Sequence, residues 1–225
     1  MLSNIINNLD WSDLTDVLIA AIPALICITF HELSHGYTAY ILGDRTAKDM
    51  GRLTLNPIKH IDVFGLLMMV LFKFGWAKPV PVNMNNFKNP KWYMAITAIA
   101  GPLSNIILSV VVLFIFGLIY EFLGGDFAQG AGAVAKEIII NTAYISIALA
   151  VFNLIPIPPL DGSKVLFSFF SERFYYKLMR YERYGIIVLI IILNTPVFRS
   201  TVGRLTETLF EGLINVFYAA YYLVN

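Results

Sequence analysis

The pentapeptide HELSH at positions 31–35 stands at the end of a long apolar run, VLIAAIPALICITF, which begins at position 17. Such a run is typical of a helix inside a lipid bilayer or a deep core. His31 and His35 are four residues apart, so one face of a helix would present both imidazoles to a single metal ion. Glu32 stands where the general base of a zinc hydrolase belongs. Ionisable groups at membrane depth are costly, so the pattern predicts a functional metal site.

The composition indicates a membrane protein. Hydrophobic residues make up 58% of the 225 residues and charged residues only 14%, and the mean hydropathy is +0.70, which is outside the usual range of soluble domains. This length predicts a single transmembrane domain over residues 1–225, without an appended soluble domain. The N-terminus has no basic n-region, so we expect no cleavable signal peptide. The single cysteine, Cys27, excludes an internal disulfide framework and a four-cysteine zinc site.

The distribution of Lys and Arg predicts the orientation of the chain. Residues 44–91 contain eight of them and residues 164–183 contain five, whereas residues 1–14 and 123–135 contain none. By the positive-inside rule, the two basic segments are cytoplasmic and the N-terminus is outside the cell membrane. We therefore predict an all-α polytopic bundle of four to five transmembrane helices, whose four clearest spans cover about 15–42, 93–122, 137–157 and 183–198.

The remaining segments are not among the four clearest predicted spans. The apolar run at 63–72 is too short to span and is interpreted as a re-entrant element that Asp62 caps at its start. The β-branched residues, prolines and asparagines of 51–57 and 77–87 predict small extended or β segments on the cytoplasmic side. Residues 205–224 are either interfacial or a final span.

A catalytic zinc needs a third protein ligand besides the two histidines and an open position for water. Asp161 is the best candidate, because it stands in the segment NLIPIPPLDG (153–162) at the cytoplasmic end of the third predicted span. Pro156, Pro158 and Pro159 end the helix there and force extended backbone. The alternative is that Asp161 caps the helix that follows. The presence of HELSH in the same chain favours Asp161 as a metal ligand over Asp161 as a helix cap.

These motifs add up to a resemblance to a known family. HELSH at 31–35, GPLSN at 101–105 and NLIPIPPLDG at 153–162 stand in the order and at the intervals of the site-2 protease family of intramembrane zinc metalloproteases. NPIKHIDVFG at 56–65 is similar to a further element of that family. The resemblance covers roughly residues 30–165, and the chain has no room for a PDZ or CBS domain, so it resembles a compact member.

The resemblance implies proteolysis of single-span membrane proteins within the lipid bilayer, often as the second cut of regulated intramembrane proteolysis. By position, His31, His35 and Asp161 would be ligands of one zinc ion per chain. Glu32 would be the general base, and Asn153 would lie near the scissile peptide. We expect no nucleic-acid partner, and the possibility of a homo-oligomer stays open.

Other polar residues have plainer interpretations. Asn153 could equally satisfy backbone groups that the prolines leave free. Gly101 and Asn105 predict close helix packing with one interhelical hydrogen bond. His60 is interpreted as a structural loop histidine rather than a metal ligand.

Three other functions compete with the protease. A membrane zinc hydrolase of a lipid or another non-peptide amide or ester would use the same zinc and Glu32 chemistry. A metal transporter would need further ligands along a path across the membrane, and the outer halves of the predicted spans contain no His, Asp or Glu series. A catalytically silent scaffold is disfavoured because Glu32 is intact.

Overall fold

The protein is described here by a computed structural model that covers residues 11–62, 64–65, 77–120 and 130–224. Within these ranges the one β feature is an isolated antiparallel bridge between Ile61 and Ala77. The extended segments predicted around it are therefore loops, with short 3-10 turns at Pro57–His60 and Met84–Asn86. The α-helices are α1 (Trp11–Ile41), α2 (Thr46–Asp49), α3 (Pro90–Tyr120), α4 (Gly130–Asn153), α5 (Asp161–Phe167), α6 (Glu172–Leu193) and α7 (Pro196–Val224).

The bundle is formed by α1, α3 and α4, which pack against one another, and by α7, which packs along α3 and α4. A Cβ on Gly117 of α3 would collide with the carbonyl oxygen of Phe217 in α7. Nearer the start of α7, the ring of Phe210 meets the ring of Tyr144 in α4 edge to face, with centroids 5.3 Å apart. Residues 205–224 thus lie lengthwise beside the other bundle helices.

Two helices among the described residues, α3 and Gly132–Asn153 of α4, are long and apolar enough to cross a membrane. By the same measure of length and apolar composition, a third crossing is counted if Tyr184–Leu193 and Pro196–Val224 are taken as one span, although they are bent by 84°. The predicted span at 183–198 is therefore not one continuous helix. The reason is local: proline at 196 cannot donate a backbone hydrogen bond, and it disfavours helical backbone at the residue before it.

Helix α6 lies against the proline-rich loop that follows α4. A Cβ on Gly185 would come within 2.5 Å of both Cβ and the carbonyl oxygen of Pro158. Tyr175 and Leu189 are buried, and their spacing puts them on the same face of α6 as Glu182 and Gly185. This face therefore holds α6 against the loop that leads into α5.

The re-entrant element predicted at 63–72 lies outside the described residues except for 64–65. At its start, Asp62 Oδ1 accepts a hydrogen bond of 2.8 Å from the backbone N–H of Gly65. This contact confirms the predicted cap at Asp62.

His60 takes part in loop structure. Its side chain is buried, and Nε2 lies 2.9 Å from the carbonyl oxygen of Thr54. Its own carbonyl oxygen accepts a bond from the N–H of Lys78. These contacts join the two loops beside the short bridge and agree with a structural role for His60.

Asp44, just after α1, anchors the loop of residues 77–87. The carboxylate is fully buried and accepts the N–H of Asn83 at 2.7 Å on one oxygen. Its other oxygen accepts the side-chain N–H of Asn86 at 2.6 Å and the hydroxyl of Thr46 at 2.5 Å. Burial alone would raise the pKa of Asp44, but these hydrogen bonds hold it below its usual value.

We predict that Asp44→Asn lowers the free energy of unfolding by about 1–3 kcal/mol at pH 7, because the amide cannot accept all of these bonds. A depressed native pKa stabilises the fold above the ordinary aspartate pKa, and this contribution is lost as the pH falls through the native value. The difference between variant and wild type should therefore shrink below about pH 4. Thermal unfolding in detergent at several pH values measures it. The exposed Asp49→Asn is the control, and an equal effect there would contradict the prediction.

Candidate metal centre

Two histidines of α1 form the base of the site. His31 and His35 lie one turn apart on the same helix face and are 5% and 9% exposed. Their Nε2 atoms are 3.1 Å apart, and the two rings meet edge to face. The imidazoles thus converge on one point, as the motif spacing predicts.

Asp161 comes to the same point from α5. Its Oδ2 lies 3.2 Å from Nε2 of His31 and 3.1 Å from Nε2 of His35. Leu160 occupies the N-cap position of α5 without a side-chain cap bond, so the alternative interpretation of Asp161 as the cap is wrong. The carboxylate faces the histidines instead of the helix end.

The hydrogen bonds around the three side chains favour a bound cation. His35 Nδ1 lies 2.7 Å from the carbonyl oxygen of Thr97, an acceptor, so this nitrogen donates its proton. In a neutral imidazole, Nε2 then carries a lone pair. That lone pair faces the carboxylate of Asp161 at 3.1 Å, a contact between two acceptors. A cation between them turns this repulsion into coordination.

The dimensions of the cluster fit zinc. Ligand atoms of His31, His35 and Asp161 all lie within 4.8 Å of one another, and their closest approaches are 3.1–3.2 Å. Bonds of about 2.0–2.1 Å in a tetrahedron separate the ligand atoms by roughly 3.3–3.4 Å. A small outward shift of the three side chains therefore accommodates the ion and leaves a fourth position.

Gly101 allows α3 to approach the site closely. A Cβ at this position would lie 2.7 Å from Cε1 of His31 and 2.5 Å from Cε1 of His35, and it would collide with Nε2 of His35. The predicted close packing at Gly101 is thus against the histidines themselves. The predicted interhelical bond at Asn105 uses its backbone, because Ser146 donates its hydroxyl to the Asn105 carbonyl oxygen at 2.8 Å.

Glu32 extends from α1 to the loop of residues 77–87. Its Oε2 accepts a 2.7 Å hydrogen bond from the backbone N–H of Val80. Sequence reasoning did not find this contact, since no pattern relates a helix carboxylate to a loop amide 48 positions away. The bond fixes the orientation of the carboxylate.

These side chains line one cavity of about 350 Å³. Asn153 lines it as well, and its Nδ2 donates a 3.0 Å hydrogen bond to the Leu149 carbonyl oxygen of its own helix. An amide carries two N–H groups, so one stays available to a molecule in the cavity. The remaining wall is formed by Pro79, Val80, Val82, Met94, Thr97, Ala98, Pro159, Lys164 and Glu182.

Two charged residues that sequence reasoning missed stand beside Asp161. Lys164 Nζ lies 3.5 Å from Asp161 Oδ1 and 3.8 Å from Glu182 Oε1. The spacing of three residues on one helix could have identified Lys164, but nothing in the sequence pointed to Glu182. Burial raises the pKa of Glu182, and the neighbouring Lys164 ammonium offsets only part of that rise.

Comparison with known proteins identifies the family. The profile of peptidase family M50 matches residues 19–195, most of the chain. The protein belongs to peptidase family M50. "Putative zinc metalloprotease YwhC" of Bacillus subtilis is 38% identical to this M50 peptidase over 175 residues, which cover 78% of this chain and 80% of YwhC. "Putative zinc metalloprotease Rip2" of Mycolicibacterium smegmatis is 28% identical over 176 residues, or 76% of this chain and 65% of Rip2. No solved structure matches this M50 peptidase.

Family membership confirms the resemblance to the site-2 proteases and makes the protein a zinc metalloprotease of the membrane. His31, His35 and Asp161 form a cluster that could hold its metal ion. The M50 peptidase thus combines a candidate metal site with apolar helices.

Proposed function

We propose that this M50 peptidase is an intramembrane zinc endopeptidase that cleaves transmembrane segments of single-span proteins near the cytoplasmic side. One observation carries the proposal: His31, His35 and Asp161 converge to within 3.1–3.2 Å beside Glu32, in a cavity bordered by helices of an apolar bundle. A hydrolytic centre in that setting suits peptide bonds that lie within the bilayer rather than in soluble proteins.

The roles of the site residues follow from their chemistry. His31, His35 and Asp161 hold one zinc ion per chain. When bound, zinc acts as a Lewis acid that polarises the scissile carbonyl and lowers the pKa of a water molecule to about 7. Asn153 donates its second N–H to the substrate carbonyl oxygen as negative charge develops there.

Glu32 acts first as the general base and then as the general acid. The Val80 N–H holds its Oε2 at 2.7 Å, which leaves Oε1 to accept the proton of the attacking water. Glu32 then gives that proton to the amine of the leaving peptide. Without this proton the nitrogen would have to leave as an amide anion, which is a poor leaving group.

The proposed topology has four spans, α1, α3, α4 and α7, with the N-terminus outside the cell membrane and the active site toward the cytoplasm. The Lys and Arg distribution supports this orientation, and the packing of α7 along α3 supports a final crossing. Helix α6, bent by 84° from α7, lies at the cytoplasmic surface in this arrangement. Arg199 and Arg204 then lie at the cytoplasmic start of α7.

The substrate must unwind, because a helix shields its own peptide groups. We propose that the unwound segment pairs with the edge of residues 77–87 by β-addition. Val82 borders the cavity on this edge, whereas Pro79 and Pro81 have no N–H to donate. Because the N–H of Val80 is already bonded to Glu32, the N–H of Val82 is the donor to the substrate strand in this proposal, and the Val82 side chain contacts the residues around the cut.

Val82→Ala is predicted to change the preference among peptides of different bulk near the cut by about 10-fold, as expected for removal of apolar contact from a substrate pocket. Zinc content should stay at the wild-type level. Relative kcat/KM on a peptide panel and the bound metal are measured together. The exposed Val111→Ala in α3 is the control. A parallel loss of zinc in Val82→Ala would contradict this assignment.

The experiment that tests the proposed function compares the purified wild type with Glu32→Gln. Both are expected to bind zinc, and only the wild type should cleave single-span peptides, with a loss of about 10²–10⁴-fold in the variant. Equal cleavage by both would refute the base role of Glu32. Zinc binding with cleavage of lipid esters or amides and of no peptide would show the lipid hydrolase instead.

A further inference from the structure

Asp161 presents its two carboxylate oxygens to different partners. Oδ2 faces both histidines at 3.1–3.2 Å, whereas Oδ1 faces the ammonium of Lys164 at 3.5 Å. A carboxylate rotates easily about its terminal bond, so a partner on the second oxygen decides which lone pair the metal meets. In metal sites, such partners of a ligand orient it and tune its affinity.

Lys164 stands in the right place but needs support. It lies three residues after Asp161 on α5, hence on the same face, and its side chain is only 17% exposed. A lysine side chain is long and flexible, and fixing it costs conformational entropy. Glu182 provides the second contact, with Oε1 3.8 Å from the ammonium.

Glu182 is itself held by the docking of α6. Gly185 follows it by three residues and packs so closely on Pro158 that a Cβ would come within 2.5 Å. Pro158 belongs to the loop that leads into Asp161. The same short stretch of chain thus receives both α6 and the metal ligand, so the position of Glu182 is coupled to that of Asp161.

We infer that Lys164 is a positioning residue that orients Asp161 through its second oxygen, and that Glu182 holds Lys164 in place from α6. The inference rests on the proposed role of Asp161 as a zinc ligand. It gives α6 a function beyond packing, because α6 supplies the outermost member of a chain that runs from Glu182 through Lys164 to Asp161 and the metal.

The test measures zinc affinity by competition with a chromophoric chelator and the visible spectrum of the Co²⁺-substituted protein. Lys164→Met should weaken zinc binding by about 10–100-fold and change the Co²⁺ spectrum. Lys164→Arg, which keeps the charge, should restore both. Glu182→Gln should produce a smaller loss, and the exposed Lys177→Met should leave the affinity unchanged. Thermal unfolding reports whether each variant is folded.

Exchange of the two charges distinguishes a role of Lys164 in orienting Asp161 from a role only in joining α5 to α6. The double variant Lys164→Glu with Glu182→Lys keeps an ion pair between α5 and α6 but puts a carboxylate beside Asp161, so zinc affinity should remain low. Restoration by this exchange, or normal affinity in Lys164→Met, would overturn the inference. If Lys164→Met does not fold, Glu182→Gln, Lys164→Arg and the exchange decide. A wild type that binds no zinc would instead contradict the proposed metal site itself.

Discussion

Gly101→Ala should remove zinc from the protein, although the substitution adds a single methyl group. The new Cβ would lie 2.7 Å from Cε1 of His31 and 2.5 Å from Cε1 of His35, closer than carbon atoms approach in folded proteins. The ring of His35 cannot move freely, because its Nδ1 is held by the carbonyl oxygen of Thr97 at 2.7 Å. Either the histidines leave their positions or α3 moves away from α1.

Both responses weaken the metal site. We expect zinc affinity to fall by at least about 100-fold, because loss of a mere supporting contact to a ligand already costs 10–100-fold. The free energy of unfolding should fall by about 1–3 kcal/mol, as in other overpacked cores. Metal analysis after gel filtration and thermal unfolding measure the two effects.

The chain contains matched controls for this substitution. Gly203 and Gly212 lie in α7, and a Cβ at either position meets no atom within 4 Å. Gly203→Ala and Gly212→Ala should therefore retain zinc and gain slightly in stability, since alanine favours the helix. Normal zinc content in Gly101→Ala would mean that α3 does not approach the histidines as described.

Asp161→Asn is predicted to have the largest effect on activity and on metal content together. The amide keeps the size of the side chain but loses the charge that attracts the cation, and its NH₂ group cannot coordinate. We expect zinc affinity to fall by more than about 100-fold, beyond the effect of a supporting residue, and peptide cleavage to fall with it. Chelator competition and a single-span peptide assay measure both.

Asp62→Asn is the control for Asp161→Asn. Asp62 caps a turn through the N–H of Gly65, and among the described residues no hydrogen bond or ion pair joins it to His31 or His35, so its variant should keep full zinc. A zinc-replete Asp161→Asn that still cleaves peptides would exclude Asp161 as a ligand, and the third ligand would then have to be sought elsewhere.

The helices and the metal cluster were largely predictable from the sequence, because both depend on local patterns. An apolar run followed by two histidines at a spacing of four specifies one helix with one ligand face. The third member of the cluster, Asp161, was identifiable as well, although it is 130 positions from His31, because few carboxylates stand near a proline-rich break of an apolar segment.

The contacts that orient the side chains of the site were not predictable from the sequence, because they depend on tertiary structure. The backbone N–H of Val80, in the loop of residues 77–87, donates a hydrogen bond to Glu32 in α1. Glu182 in α6 forms an ion pair with Lys164 in α5. The prediction of one continuous helix at 183–198 was wrong, because the hydrophobicity of a segment does not show where the chain bends. Pro196 allowed the chain to turn by 84° without a change in apolar character.

X-ray absorption at the zinc edge of the purified protein tests whether His31, His35 and Asp161 bind the zinc ion. We predict one zinc per chain, bound by two imidazole nitrogens and by oxygens of one carboxylate and one water, all at about 2.0–2.2 Å. In Asp161→Asn the signal should be lost with the metal. A sulfur ligand at about 2.3 Å, or a first shell with fewer than two imidazoles, would contradict this prediction.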